Sequence, residues 1–216
     1  MSTAVDVYLE AGARKTFACA VDWPGWCRSG KGEEAALAAL AEYADRYRAV
    51  VAAAGHRLPA AAFRVVERVP GSGATDFGVP DAVAHCDVEP MTEALARRTA
   101  DVVQASWDHF DRVAAAAPAE LRKGPRGGGR DRDKIVEHVI GADLSYAKTL
   151  GIKAGKGAES DPAAVAEVRA AVLDVLRSTT DGQPVRPKGW PTRYAARRIA
   201  WHALDHAWEI EDKSER

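Results

Sequence analysis

Residues 70–90, PGSGATDFGVPDAVAHCDVEP, hold no hydrophobic period and are dominated by Gly, Pro and Asp. The domain linker is expected there, dividing the chain. The two sides obey different periods. Before it, apolar residues alternate in short runs; after it, they recur every three or four positions over long ones. The expected fold class is therefore α+β, with strands gathered ahead of the break and helices behind it.

In VDVYL, Val5, Val7 and Leu9 alternate at period two. TFACAV follows a short Gly-containing turn, with Phe17, Cys19 and Val21 on one face, and Pro24-Gly25 closes the strand. A helix is expected next. Glu33 and Glu34 suit its first turn, where the helix dipole favours negative charge. Leu37, Leu40, Ala44, Tyr47 and Val51 form one apolar stripe, and Gly55 is its stop. AFRVVERV reads as a third strand. Residues 1–75 thus read strand, strand, helix, strand, and residues 76–90 read as a linker.

Residues 91–216 read as four helices, a pattern that suits a four-helix bundle. MTEALARRTADVVQASWDHFDRVAAAA turns Leu95, Val102, Val103, Trp107 and Phe110 inward. The basic, Gly-rich RKGPRGGGRDRD leads to RDKIVEHVIGADLSYAKTLG, which Gly151 stops. Asp161 as N-cap and Pro162 at the first helical position start the third helix. Thr192 is the candidate N-cap of the last, PTRYAARRIAWHALDHAWEIEDK.

A formal net charge of −1 over 216 residues gives no wholesale attraction to nucleic acid or anionic lipid. No apolar run approaches the roughly 20 residues that span a bilayer. MSTAVDVYLEAGARK lacks a basic segment followed by an apolar one, so no signal peptide is expected. Three cysteines, Cys19, Cys27 and Cys86, are an odd number without framework spacing, which suits a reduced, cytoplasmic protein.

Chemistry concentrates in the last helix. Ala195, Ile199, His202, His206 and Ile210 step by four, three, four and four, so both histidines lie on the inward stripe, one turn apart. On the second helix the inward stripe takes Ile135, His138 or Val139, Ala142 and Tyr146, with His138 on it or at its edge. Inward imidazoles are costly unless each ring nitrogen finds a partner. A divalent metal offers one, with two ligands from the i, i+4 pair and a third from a facing helix. Three imidazoles leave coordination positions open, a catalytic arrangement, whereas a structural site closes with four protein ligands. The alternative is three hydrogen-bonded core histidines.

Residues 91–213 resemble the DinB-like superfamily of four-helix bundles. The resemblance rests on the histidine in KIVEHVIGADLSYAKTLG and on His-x-x-x-His in RRIAWHALDHAWEIED. It implies that His138, His202 and His206 bind a divalent metal, zinc or nickel. Some members of that superfamily transfer low-molecular-weight thiols to electrophiles, and some use such a thiol to isomerise a substrate. A metal-dependent thiol S-transferase or isomerase acting on a small molecule, with a mycothiol-like cosubstrate, is the expectation. Hydrolysis by activated water is a second chemistry for the same ligands. The rival is a non-catalytic metal-binding or regulatory, stress-related protein.

FACAVDWPGWCRSGKGEEAALAALAEYADRY resembles the HicB-like fold, in which a Pro-Gly turn precedes a G-x-x-x-EA helix start. Many such domains belong to antitoxins that also carry a DNA-binding segment. No helix-turn-helix or basic ribbon stands in this sequence, so nucleic acid is not an expected partner. The resemblance implies instead a part in dimerisation, shape or a wall of the substrate cleft. A homodimer is expected from both resemblances.

Other polar residues read more plainly. Asp205 and Glu209 each follow a histidine of the pair by three; either can accept from an outer imidazole nitrogen, though a solvated face is the default. Asp143 has the same status, and Glu137 points about 100° away from His138. His109 suits a bundle edge, His56 the surface, and His85-Cys86-Asp87 a structural or exposed run. Cys19 is expected in the core and Cys27 in an exposed turn. Gly127 to Gly129 make no phosphate-binding fingerprint, since no strand precedes them.

Overall fold

The computed structural model describes residues 4–59, 62–124 and 128–214, which form one mixed α+β structure. Among them are one four-stranded sheet and seven α-helices. Strands β1 (Ala4–Ala11), β2 (Thr16–Ala20), β3 (Cys27–Gly30) and β4 (Ala62–Pro70) lie in the order β3-β2-β1-β4. β1, β2 and β3 pair antiparallel, and β4 returns parallel to β1. The return runs through helices α1 (Glu33–Glu42) and α2 (Ala44–Ala53). They cover the face that carries Val5, Val7, Leu9, Ala18 and Ala20.

The order strand, strand, helix, strand gains one strand and one helix break. β3 is Cys-Arg-Ser-Gly, too short and too polar to show a period; pairing with β2 alone defines it. The single expected helix divides at Tyr43, whose φ of −87° and ψ of 1° leave helical geometry. The Tyr43 ring lies against Arg28, 3.8 Å from guanidinium carbon to ring centre, and against Trp208 at 5.0 Å. The inward stripe survives the break, with Leu40, Ala44, Tyr47 and Val51 buried and Leu37 half-buried. Cys27, expected in an exposed turn, is buried in β3.

In β4 a bulge between the partners of Val7 and Tyr8 flips the alternation. Phe63 and Val65 pack toward the helices, while Val69 packs on the opposite face. Arg64 pairs with Asp6 and Arg68 with Glu33 along this exposed edge, charges that discourage pairing with another chain.

The opposite face of the sheet is covered too, which is why every residue of β2 is buried. Tyr8, Phe17, Cys19 and Cys27 meet Ala84, Cys86 and Trp201 there. Expected as a linker, residues 76–90 here form a packed strap. Glu10, fully buried, accepts from Thr75 Oγ1 at 2.6 Å and from the backbone N–H groups of Asp81 and Ala82. Arg198 Nη1 donates to the Pro80 carbonyl at 2.7 Å, and Tyr194 Oη donates to that of Asp81 at 2.8 Å. Arg197 donates to the Ala82 carbonyl and forms a buried ion pair with Asp87, at 2.5 Å. Buried polar groups of this kind need partners, and here the strap's backbone supplies them: its N–H groups donate to Glu10 and its carbonyls accept from Tyr194, Arg197 and Arg198.

Four long helices follow: α4 (Glu93–Ala116), α5 (Arg132–Thr149), α6 (Pro162–Arg177) and α7 (Thr192–Ser214); the short α3 (Gly73–Phe77) leads into the strap. Thr92 caps α4, and Asp161 caps α6 with Pro162 behind it. Thr192 is the first residue of α7 rather than its cap. Trp107, Phe110, Ile135, Val139, Val172, Leu176, Ile199 and Ile210 lie in one core among the four. α7 serves both halves of the fold. Ala195, Ile199 and Ala203 face that core, whereas Leu204 and Trp208 pack with α1 and α2 and Trp201 covers the sheet. Gly25, at φ +91°, lets the Pro24-Gly25 turn touch α7: a Cβ there would stand 2.9 Å from Leu204 Cδ1. No helix among the described residues is long and apolar enough to cross a membrane.

Candidate metal centre

α5 and α7 pack side by side, and the contact brings His138 to His202 and His206. The i, i+4 step on α7 puts its two imidazoles on one face, ring centres 4.7 Å apart. His138 closes the triangle, at 4.9 Å from the His202 ring and 5.0 Å from the His206 ring. One nitrogen from each residue lies within 4.8 Å of the others, close enough for the three to hold a metal ion.

His138 Nε2 lies 3.1 Å from His202 Nε2. Two nitrogens bound tetrahedrally to one ion at about 2.0–2.1 Å stand about 3.3 Å apart, so this pair already has a chelating separation. Burial pushes the His202 imidazolium down to about 2, helped by His206, His138, Arg198 and Arg130. His138 is lowered in the same direction, first by burial and then by His206. Both rings are thereby kept neutral, the form a metal requires. Depth differs across the cluster: His202 is buried, His206 is half-buried and His138 is exposed, so the group opens to solvent on the α5 side.

Of the two carboxylates spaced three residues after a histidine, one serves the cluster. His206 Nδ1 donates to Glu209 Oε2 at 2.7 Å, and Lys213 Nζ donates to the other oxygen. The bonds to His206 and Lys213 hold the Glu209 carboxyl down at about 2. This fixes the His206 tautomer and leaves the lone pair of its Nε2 free to bind a metal. The solvated face expected for Glu209 is therefore corrected. Asp205 turns the other way and pairs with Arg28 of β3 at 2.8 Å. His202 Nδ1 is buried with no hydrogen-bond partner among the described residues.

Tyr146 of the inward α5 stripe reaches the cluster, its ring 5.9 Å from that of His202. Trp190 lies 5.1 Å beyond it, and Arg198 Nη2 donates to the Tyr146 hydroxyl at 3.4 Å. Arg198 had no signal in the sequence, because a buried arginine on a helix looks like a solvated one until its partner, the Pro80 carbonyl, is known.

The remaining candidates lie elsewhere. Asp143 is buried and paired with Arg169 at 2.9 Å; burial lifts its carboxyl to about 6 even so. Glu137 pairs with Lys134, outside the cluster. His109 lies between Arg112 and Glu211, and His56 bonds Asp101 at 3.0 Å. In the His85-Cys86-Asp87 run, His85 is exposed, while Cys86 and Asp87 are buried. Gly127 lies outside the described residues. A cleft of about 620 Å³ beside Val165, Arg169 and Leu173 of α6 is lined by none of the three histidines.

No family model, curated protein or solved structure matches this chain.

Proposed function

We propose that the chain is a metal-dependent enzyme of the DinB-like kind, with His138, His202 and His206 as the ligands of a zinc or nickel ion. The observation that supports this is the convergence of three imidazoles from two helices at a place where one of them reaches solvent. Three protein ligands leave coordination positions free, and the exposed His138 side is where a small molecule enters. A divalent ion bound there supplies a Lewis acid that stabilises the thiolate of a low-molecular-weight thiol near neutral pH.

The protein's own part is orientation and exclusion. Glu209 holds the Nδ1 proton of His206, so the opposite nitrogen faces inward. Tyr146 and Trp190 wall one side of the approach with aromatic surface. Arg28, through Asp205, ties the histidine helix to the sheet. The reaction proposed is transfer of the thiol to an electrophile, or isomerisation through the same thiol, with a mycothiol-like cosubstrate.

Elemental mass spectrometry on untagged protein purified without chelator tests the ligand assignment. About one equivalent of a transition metal in the wild type, lost in His138→Ala and His202→Ala, supports it. A wild type that takes up neither zinc nor nickel on reconstitution overturns it, and the three histidines are then hydrogen-bonded core residues.

A further inference from the structure

All three cysteines of the chain pack into one cluster beneath the sheet, with Tyr8, Phe17 and Trp201 around them. Two of them are register partners. Cys19 of β2 faces Cys27 of β3 directly across the antiparallel ladder. The bond from Ala20 N to Trp26 O, at 2.9 Å, makes the next pair outward a hydrogen-bonded one. Pairs alternate along such a ladder, so Cys19 and Cys27 occupy a non-hydrogen-bonded position. There the Cα atoms stand about 4.5 Å apart and the side chains lean together, within the range a disulfide spans. The two sulfurs are 2.6 Å apart, well inside the contact distance of non-bonded sulfur atoms. Cys86 lies in the same cluster but on the strap, outside the ladder.

We propose that Cys19 and Cys27 form a disulfide that staples β3 to β2, while Cys86 remains a thiol. The co-reactant is a low-molecular-weight disulfide. One cysteine thiolate attacks it, releasing one small thiol and leaving a mixed disulfide. The second cysteine then attacks the protein sulfur of that mixed disulfide, forming the Cys19–Cys27 bond and releasing the second small thiol. Two electrons and the two cysteine protons leave with the two released thiols. Burial raises the Cys27 thiol well above its ordinary range and leaves neither sulfur accessible. Exchange therefore belongs to folding, while the hairpin is still open, and burial afterwards shields the bond from reductant. The staple matters beyond the hairpin, because the residue after Cys27 is Arg28, which holds Asp205 on the histidine helix.

The test is oxidative refolding. Unfolded, reduced wild type and Cys86→Ser are refolded with excess oxidised glutathione, then denatured and alkylated, and intact masses and disulfide-linked peptides are read. The expected result is one alkylated cysteine in the wild type, none in Cys86→Ser, and a linked peptide pair joining Cys19 to Cys27. The oxidised protein should also melt roughly 5 °C or more above the reduced one. Three alkylated cysteines, a bond that includes Cys86, or glutathione left on Cys19 or Cys27 would overturn the proposal. No metal ligand is a cysteine here, so the outcome does not depend on the metal assignment.

Discussion

His202 Nε2 lies 3.1 Å from His138 Nε2, across the line where α7 meets α5. The contact has a pH signature in the metal-free protein. Buried in the fold, His202 resists protonation down to about 2, whereas the unfolded chain takes up that proton near 6.5. The unfolded state therefore binds more protons below about pH 6.5, and stability is full above that value and lost on acidification. The slope from this one group is about 1.4 kcal/mol per pH unit. Asp143 acts in the opposite sense: with its carboxyl lifted from 3.8 to about 6, the fold loses stability as pH rises through that interval. Urea unfolding at several pH values, with chelator present, separates the two. His202→Gln should flatten the acid-side loss; an unchanged slope would contradict the burial account.

Glu209 and Asp205 make a matched pair of controls on the metal site. Glu209 orients His206, whereas Asp205 binds Arg28. Glu209→Ala is expected to weaken zinc binding by about 10- to 100-fold, the usual cost of losing an outer partner of a ligand. Asp205→Ala should leave affinity within a few-fold and lower the melting temperature instead. Calorimetric titration of both variants checks the contrast, and equal losses of affinity would refute it.

The Arg197–Asp87 pair is buried on both sides, at 4% and 2% exposure. Removing one partner strands the other's charge, so Arg197→Met is expected to cost about 3–5 kcal/mol. The double change Arg197→Met with Asp87→Leu should recover part of that, because it leaves no isolated charge in place. Denaturant midpoints of the single and double variants supply the comparison, and a double variant less stable than the single would mean the pair itself carries the stability.

Two glycines separate backbone strain from crowding. Gly55 and Gly25 both have positive φ, but a Cβ on Gly55 meets nothing within 4 Å, whereas one on Gly25 meets Leu204 and Ala200. Gly55→Ala should cost about 1–2 kcal/mol, the left-handed penalty alone. Gly25→Ala should cost more by the price of pushing α7 away from the turn. Equal unfolding free energies for the two variants would show that the turn does not press on α7.

The division into strands and helices was legible because period two and period 3.6 seldom imitate each other over such lengths. Ala195, Ile199, His202, His206 and Ile210 gave the inward stripe of α7 from spacing alone, and the structure brings His138 to the same place. What stayed illegible depends on partners distant in sequence. β3 has no pattern of its own, only a ladder with β2. The strap at 80–87 looked like a tether because its order comes from Tyr194, Arg197 and Arg198, more than a hundred residues later. Glu209 and Asp205 share one spacing from a histidine, and only the tertiary neighbours, His206 and Arg28, tell them apart.

The placement of α7 also dictates when the fold can finish. Arg28 and Asp205 meet across 177 residues of sequence, and Trp201 and Trp208 seal apolar faces made from the first half of the chain. Contacts of such range are the slow ones, because the chain must surrender its loop entropy before they return any stability. Until the last helix docks, the sheet lacks Trp201 and the paired helices lack Leu204 and Trp208. Placement of the histidine pair and completion of the N-terminal core therefore depend on the same helix, and a chain shortened before Trp201 would lack both together.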